Sequence, residues 1–315
     1  MQDFRVMFLG TSAGMPTRAR NVASVAVMMD GRAVLFDCGE GTQHQLMRSD
    51  VRFGAIEAIF LTHLHGDHLF GLPGLLASMS LNAREKPLAL YGPAGIAAFM
   101  RSLPLYHTSF DVEIFEIESG TGSQSVRRAD GYSIDAAPVV HSAPCFAYRI
   151  VENDRPGEFD VARARALGIE PGPAYGRLQR GEPVGSVNPS DVLGPTRAGR
   201  RIVYCTDTRP CDNAIELARN ASVLIHESTY ASDMADEAVT RFHATAAEAA
   251  AVAREAEVQQ LILTHVSPRY TDPSVLLAEA REVFAQTKVA EDFACFDVVR
   301  SVYSAGPEFY PPSGS

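Results

Sequence analysis

Long apolar runs are scarce in this chain of 315 residues. No stretch approaches the roughly 20 consecutive apolar residues of a membrane span. The opening MQDFRVMFLG carries Asp3 and Arg5 and holds an apolar run far shorter than a secretory signal core. A soluble, cytoplasmic protein with no membrane contact is expected. Cysteine is sparse too: five residues, an odd number, with no C-x-x-C pair. That argues against a disulfide framework and suits a reducing compartment. Cys38 and Cys205 flank candidate site aspartates but read as small apolar residues. Positive charge is in deficit, since 28 Lys and Arg against 38 Asp and Glu leave a net charge of -10. Taken as a sum, this disfavours a polyanionic partner.

The distribution of charge modifies that conclusion. In VARARALGIEPGPAYGRLQRG, residues 161 to 181, Arg163, Arg165, Arg177 and Arg180 face Glu170 alone, a basic island in an acidic chain. A hydrophobic content of 46% with 21% charged residues is that of a folded protein with one large core or two modest ones.

Short β-rich runs open the chain: FRVMFLG (4 to 10), SVAVMMD (24 to 30) and RAVLFD (32 to 37), separated by turn residues. From residue 56 strands and helices alternate: strand IEAIFLTH, a helix over about 68 to 81, strand PLALYG, and a helix over about 93 to 102. VEIFEIE and CFAYRIV restore strand patterns within 112 to 151. Residues 153 to 200 are rich in Pro, Gly and Arg, and fit a disordered linker, an inserted arm or a functional loop. The last third alternates again: strand RIVYCTD, a helix near 211 to 219, strand SVLIHE, a helix near 245 to 256, strand VQQLILTH and a helix started by TDPS. Such alternation implies a layered α/β fold. IEAIFLTH is echoed by VQQLILTH, and VLFDCGEG by IVYCTDTR, which suggests two halves that present side chains at one sheet edge.

The chemistry concentrates in LTHLHGDHLFG. Alternate side chains of a strand running into a loop face one way, so His63 and His65 can serve one point while Asp67 and His68 serve its neighbour. Imidazole and carboxylate ligands with open positions suit zinc, and a catalytic ion normally takes three protein ligands. The loop alone is therefore short of ligands. His141 in APVVHSAP, Asp207 in IVYCTDTRP and His265 in LILTHVSP each follow an apolar strand and can supply them. One consistent assignment gives His63, His65 and His141 to a first ion, Asp67, His68 and His265 to a second, and Asp207 to both. Asp37, ending VLFD, suits a hydrogen bond that fixes the tautomer of a ligand imidazole. His44 and His107 lack such a context. Thr245 and Glu248 form a T-x-x-E capping box, which places His243 just before a helix N-terminus.

These motifs resemble the metallo-β-lactamase fold, and within that superfamily the ribonuclease Z family, nearly end to end. The resemblance rests on LGTSAGMPT (9 to 17), FDCGEGTQ (36 to 43), LTHLHGDHLFGLPGLL (61 to 76), HSAP (141 to 144), TDTRP (206 to 210), HESTY (226 to 230), HAT (243 to 245) and LTHVSPRY (263 to 270). It implies an α/β fold, a four-layer αββα sandwich forming a single domain over 1 to 315, with a flexible arm inserted at 153 to 200. It implies two zinc ions per chain on the seven ligands above, with manganese or iron as possible substitutes. A catalytic pair of His243 and Glu227 follows from the same source, with His226 turned to the opposite face. LGIEPGPAYGRLQRGEPV resembles the family's tRNA-gripping exosite, including Gly172 and Pro173, and PTRARN resembles a family loop written PxKxRN, with Arg18 in place of Lys and Arg20 following. The implied activity is removal of the 3′ trailer from precursor tRNA by a homodimer. Water attacks, Asp67 assists as base and His243 protonates the leaving oxygen, which leaves a 3′-hydroxyl and a 5′-phosphate. The alternative is another binuclear zinc hydrolase: a small-molecule phosphodiesterase, arylsulfatase or lactonase.

Overall fold

The computed structural model describes residues 3 to 103 and 108 to 300. His107 lies outside the described residues. Two compact units emerge: one formed by the described residues up to Val151 and by Arg201–Val299, the other by Glu152–Arg200 with Arg300.

The larger unit is built on two mixed sheets. β1 (Phe4–Gly10), β2 (Ser24–Met29) and β3 (Arg32–Phe36) form an antiparallel meander, with a tight turn between β2 and β3 and the longer loop 11 to 23 between β1 and β2. β4 (Ile56–Phe60), β5 (Leu88–Pro93) and β6 (Val112–Ile117) then add in parallel, which requires crossovers. Those crossovers carry helices: α1 (Thr42–Met47), α2 (Gly66–Leu69), α3 (Leu72–Leu81) and α4 (Ile96–Ser102).

The second sheet repeats the scheme. β7 (Gln124–Ala129), β8 (Tyr132–Val139) and β9 (Cys145–Glu152) lead to β10 (Arg201–Cys205), which runs antiparallel to β9. β11 (Val223–Glu227), β12 (Leu261–Thr264) and β13 (Thr287–Val289) follow in parallel. β14 (Cys295–Asp297) returns to pair with β1 on the first sheet. Helices α7 (Asp212–Ala218), α8 (Ala235–Thr240), α9 (Ala246–Glu255) and α10 (Ser274–Val283) belong to this half, while α5 (Val161–Ala166) and α6 (Pro173–Gln179) lie in the smaller unit.

Side-chain alternation shows why the layers form. Phe4, Val6 and Phe8 of β1, Phe60 of β4, and Ile202 and Tyr204 of β10 share the core between the sheets. Met7 and Leu9 of the same β1 face the other way, onto Leu72, Leu75, Leu76 and Met79 of α3. Val203 and Cys205 of β10 likewise turn to Ala246, Ala249, Ala250 and Ala253 of α9. Strands apolar on both faces need cover on both faces, so the order of layers is helix, sheet, sheet, helix. Each fully buried Leu or Phe contributes about 1.5–3 kcal/mol to this arrangement.

The expected single helix over about 68 to 81 is two helices, α2 and α3, interrupted at Phe70 and Gly71. The cause is a close backbone approach: Gly71 N donates to Cys38 O at 2.9 Å, and a Cβ on Gly71 would lie 2.0 Å from Gly39 O. Only glycine fits there.

The smaller unit has structure of its own. α5 (Val161–Ala166) is capped by Asp160, whose side chain accepts from Arg163 N, and α6 (Pro173–Gln179) starts with proline in its first turn. Ala164, Leu178, Val187 and Val192 form a buried cluster under these helices. Structureless linker is therefore ruled out for 153 to 200. Glu152, at its root, is ion-paired with Arg155, Arg200 and Arg300.

Candidate metal centre and catalytic pair

Three strand ends deliver the site. Asp37 follows β3, Asp207 follows β10 and His265 follows β12, and all three hold left-handed backbone, with φ of 60°, 47° and 54°. Non-glycine residues in that region carry strain, and strain of this kind clusters at functional sites. His63 and His65 come from the turn between β4 and α2, Asp67 and His68 from α2 itself, and His141 lies beyond β8.

The structure groups the donors as His63, His65, His141 and Asp207 on one side, and Asp67, His68 and His265 on the other, with an overlapping third group of Asp207, His243 and His265. His63 Nε2 stands 2.9 Å from His65 Nδ1, and His141 Nε2 3.3 Å from the same atom. Asp207 reaches both groups: Oδ2 lies 3.7 Å from His63 Nε2, and Oδ1 lies 3.3 Å from His68 Nε2 and 3.2 Å from His265 Nε2. Asp67 Oδ2 is 3.3 Å from His68 Nε2 and 3.6 Å from His265 Nε2. Ligands of a tetrahedral zinc ion at 2.0–2.1 Å stand about 3.3 Å apart, which is the spacing seen.

The outward nitrogens explain why the inward ones are available. His63 Nδ1 meets Thr62 Oγ1 at 3.0 Å, His68 Nδ1 meets Asp37 Oδ2 at 2.7 Å, His141 Nδ1 meets the Phe242 carbonyl at 3.2 Å, and His265 Nδ1 meets Thr229 Oγ1 at 3.0 Å. Each acceptor holds the ring proton on Nδ1 and leaves a lone pair on Nε2 aimed inward. His68 Nε2 and His265 Nε2 are buried and have no hydrogen-bond partner among the described residues. A buried polar atom without a partner is costly, and a cation between these nitrogens and the two carboxylates removes that cost. The residues fit a metal, and the cluster is a metal-binding site.

Asp37 is fully buried and anchors the shell around it. Besides His68 it accepts from Thr62 N at 2.8 Å and from the Tyr204 hydroxyl at 2.9 Å, so one carboxylate joins both sheets. Asp67 Oδ2 also accepts from Gly14 N at 2.9 Å. Burial works against ionisation of Asp67, but the neighbouring His265 and His68 imidazoles, 3.6 and 3.3 Å away, outweigh it and hold its pKa far below the usual carboxylate range.

Beside the cluster, His243 Nδ1 lies 2.9 Å from Glu227 Oε1. Glu227 is buried and also accepts from Thr208 N at 2.7 Å and Thr229 Oγ1 at 2.6 Å. Burial alone would depress the His243 pKa, but the Glu227 charge and hydrogen bond overcome it and raise the pKa to about 9. The raised pKa favours the imidazolium at neutral pH, and with Nδ1 on Glu227 the Nε2 edge of the ring is turned away from that carboxylate. Thr245 and Glu248 form a reciprocal capping box at the start of α9, and Arg209 pairs with Glu248 while donating to the His243 carbonyl. His226 turns away from the site and is fully buried, its Nδ1 2.8 Å from Glu227 O.

Some expected substrate contacts sit differently. Arg18 is exposed, but Arg20 points inward: Nη1 donates to Thr11 Oγ1 at 2.7 Å and to Ala290 O at 2.6 Å. The expected phosphate contact by Arg20 gives way to a structural tie, made beside Asp292, which accepts from Thr11 Oγ1, Asn21 N and Gln45 Nε2. Arg163, Arg165, Gly172, Pro173, Arg177 and Arg180 are exposed. Arg177 and Arg180 both pair with Glu182 at 3.2 Å, a carboxylate one residue beyond the basic window, so the island is less positive than its sequence window indicates. Cys38 and Cys205 are buried, and burial pushes the Cys38 thiol up to about 12. His44 is an exposed residue of α1.

Sequence reasoning missed Thr62, Thr229, Asp292 and the Phe242 carbonyl. Thr229 had a signal in HESTY; a backbone carbonyl has none.

Comparison with known proteins agrees with this geometry. A family model for the anti-Pycsar protein Apyc1 matches residues 4–107, and one for the beta-lactamase superfamily domain matches 146–266. A ribonuclease Z from Gloeothece citriformis is 47% identical over 310 residues, covering 94% of this chain and 96% of its own. The chain belongs to the ribonuclease Z family. A second ribonuclease Z, from Rippkaea orientalis, is 46% identical over 94% of this chain and 98% of its own. Among solved structures, the short form of human tRNase Z is similar with a TM-score of 0.69 and 28% identity, covering 94% of this chain and 99% of that one. The metallo-beta-lactamase fold protein YhfI from Bacillus subtilis, at 20% identity and a TM-score of 0.69, covering 94% of this chain and all of its own, shares the fold. Family membership and the two covered sheets identify the architecture as the metallo-β-lactamase sandwich. No helix among the described residues is long and apolar enough to cross a membrane.

Proposed function

We propose that this chain is a metal-dependent endoribonuclease that removes the 3′ trailer from precursor tRNA. The observation that carries the reading is an imidazolium held at 2.9 Å by a buried carboxylate, next to seven converging metal donors, in a chain of this family.

The proposed ligands are His63, His65 and His141 for one zinc ion, Asp67, His68 and His265 for the other, and Asp207 for both. Two such ions would polarise the scissile phosphate and lower the pKa of the attacking water. The chain's own groups do the rest. Asp67, kept ionised by His265 and His68, takes a proton from the attacking water as the new P–O bond forms. Glu227 holds Nδ1 of His243, so Nε2–H is directed away from it and donates its proton to the 3′ oxygen as the P–O bond to that oxygen breaks. Asp37, Thr62, Thr229 and the Phe242 carbonyl keep the imidazoles in the required tautomers. Because water attacks rather than the neighbouring 2′-hydroxyl, the products carry a 3′-hydroxyl on the tRNA and a 5′-phosphate on the trailer.

In this reading the unit at 153 to 200 grips tRNA through Arg163 and Arg165, with Arg18 contacting phosphate nearer the cut. The protein works in the cytoplasm as a homodimer. End-group mapping tests the chemistry. A 2′,3′-cyclic phosphate on the tRNA product would contradict the proposed attack by water.

A further inference from the structure

α8 ends in a left-handed turn that normally belongs to glycine. Arg241 is its C-cap, Phe242 N donates to Val239 O at 3.3 Å, and His243 N donates to Ala238 O at 2.8 Å. These two bonds are the 5→2 and 6→1 pair of a Schellman motif, and the residue after the cap must then adopt left-handed backbone. That residue is Phe242, with φ of 60°. A bulky side chain there is strained where Gly or Asn would not be.

The backbone has a reason to turn: it aims the Phe242 carbonyl at His141 Nδ1, 3.2 Å away. That requirement calls for the conformation, not for a benzyl group. Nor does the ring repay its strain in the core, since Phe242 remains 41% exposed. It stands next in the chain to His243, whose ring lies 6.1 Å from the buried Tyr230 ring by centroid distance. An exposed aromatic residue therefore adjoins the proton donor in the chain and, through its carbonyl, His141 of the metal cluster.

We infer that the Phe242 ring is a stacking platform for the base of the nucleotide that carries the leaving 3′ oxygen. The inference rests on the role proposed above for His243, because the oxygen protonated by that residue fixes which nucleotide lies beside it. Single-stranded bases are commonly held by stacking on exposed aromatic rings, and stacking tolerates any base, as an enzyme acting on many tRNAs requires.

The test uses the full-length metal-loaded protein, a 3′-extended precursor tRNA, and the same precursor with an abasic nucleotide immediately 5′ of the cut. Phe242→Gly and Phe242→Asn relieve the backbone strain, so both should melt at or above the wild-type temperature. Their kcat/KM on precursor tRNA should fall by about five- to a hundred-fold, the range expected for one stacked base. The abasic precursor should cost the wild type a similar factor and the variants almost nothing further, while Phe242→Tyr should behave as wild type. Unchanged tRNA cleavage by the variants or an abasic penalty that persists in them would each overturn the inference. A wild type that leaves intact precursor uncut would instead remove the reading on which the inference rests.

Discussion

Replacing Asp37 by Asn changes one atom and should reverse the tautomer of a metal ligand. Asp37 Oδ1 faces the backbone N–H of Thr62 at 2.8 Å, a donor that cannot rotate away. The Asn oxygen must take that place, because an amide N–H₂ there would oppose a second donor. The N–H₂ then occupies the Oδ2 position, 2.7 Å from His68 Nδ1 and 2.9 Å from the Tyr204 hydroxyl. Tyr204 can turn its hydroxyl to accept. His68 can accept only with Nδ1 deprotonated, which moves its proton to Nε2, the atom 3.3 Å from both Asp67 Oδ2 and Asp207 Oδ1. A donor now points where a lone pair is needed. Loss of such an outer partner weakens metal binding by about 10- to 100-fold, or about 1.4–2.8 kcal/mol. The turned Tyr204 hydroxyl gives up its acceptor, so the cost to the metal-free fold should be about 1–3 kcal/mol. Chelator competition with stoichiometry should show one of the two proposed ions weakened by that factor and the other nearly unchanged. Retention of both ions with wild-type affinity would refute the tautomer argument.

His243→Ala should lower kcat on precursor tRNA by about 10²- to 10⁴-fold while metal content stays at the wild-type level; loss of metal would mean the residue is a ligand instead. The His243 pKa is raised from 6.5 to about 9, and the active form is the protonated one, so cleavage should hold through neutral pH and fall as pH rises through about 9. Glu227→Gln removes the charge that raises it, and the alkaline limb of a kcat–pH profile should move down toward 6.5; an unmoved limb would assign that ionisation to another group. Arg163→Glu with Arg165→Glu should raise KM for tRNA and flatten its salt dependence by about one logarithmic unit of slope per lost phosphate contact, with small-diester hydrolysis unchanged; equal loss of both activities would mean that the unit at 153 to 200 is structural. Asp292→Ala strands Asn21 N and Thr11 Oγ1 and leaves Gln45 Nε2 with Leu9 O alone, and a cost on the order of 3 kcal/mol should appear as a lower melting temperature; wild-type stability would show that these donors find other acceptors.

The parts legible in the sequence are those where a local pattern and a spatial position coincide. An apolar strand that ends in His or Asp places that side chain at a sheet edge, so His63, Asp207 and His265 could be placed together from β4, β10 and β12 alone. The T-x-x-E of Thr245 and Glu248 is local chemistry and appears in the structure as a reciprocal cap. What escaped is what depends on distant pairing. The acceptor for His141 is a carbonyl about a hundred positions away, and Asp292 closes a loop at Thr11 and Asn21 from the far end of the chain. The break between α2 and α3 comes from Gly71 lying against Gly39, a contact that helical periodicity does not report. In the unit at 153 to 200, Pro and Gly concealed two helices because those residues sit at helix starts and turns, and Glu182 neutralises arginines from just outside the basic window.

The most direct test of the central claim is cleavage of a 3′-extended precursor tRNA by three samples prepared alike: metal-loaded wild type, wild type treated with chelator, and His65→Ala. A cut immediately 3′ of the discriminator nucleotide by the first sample only, with a 3′-hydroxyl on the tRNA, is the predicted result. Metal-loaded wild type that leaves every precursor intact while hydrolysing a small phosphodiester would contradict it and direct the same metal centre to a different substrate.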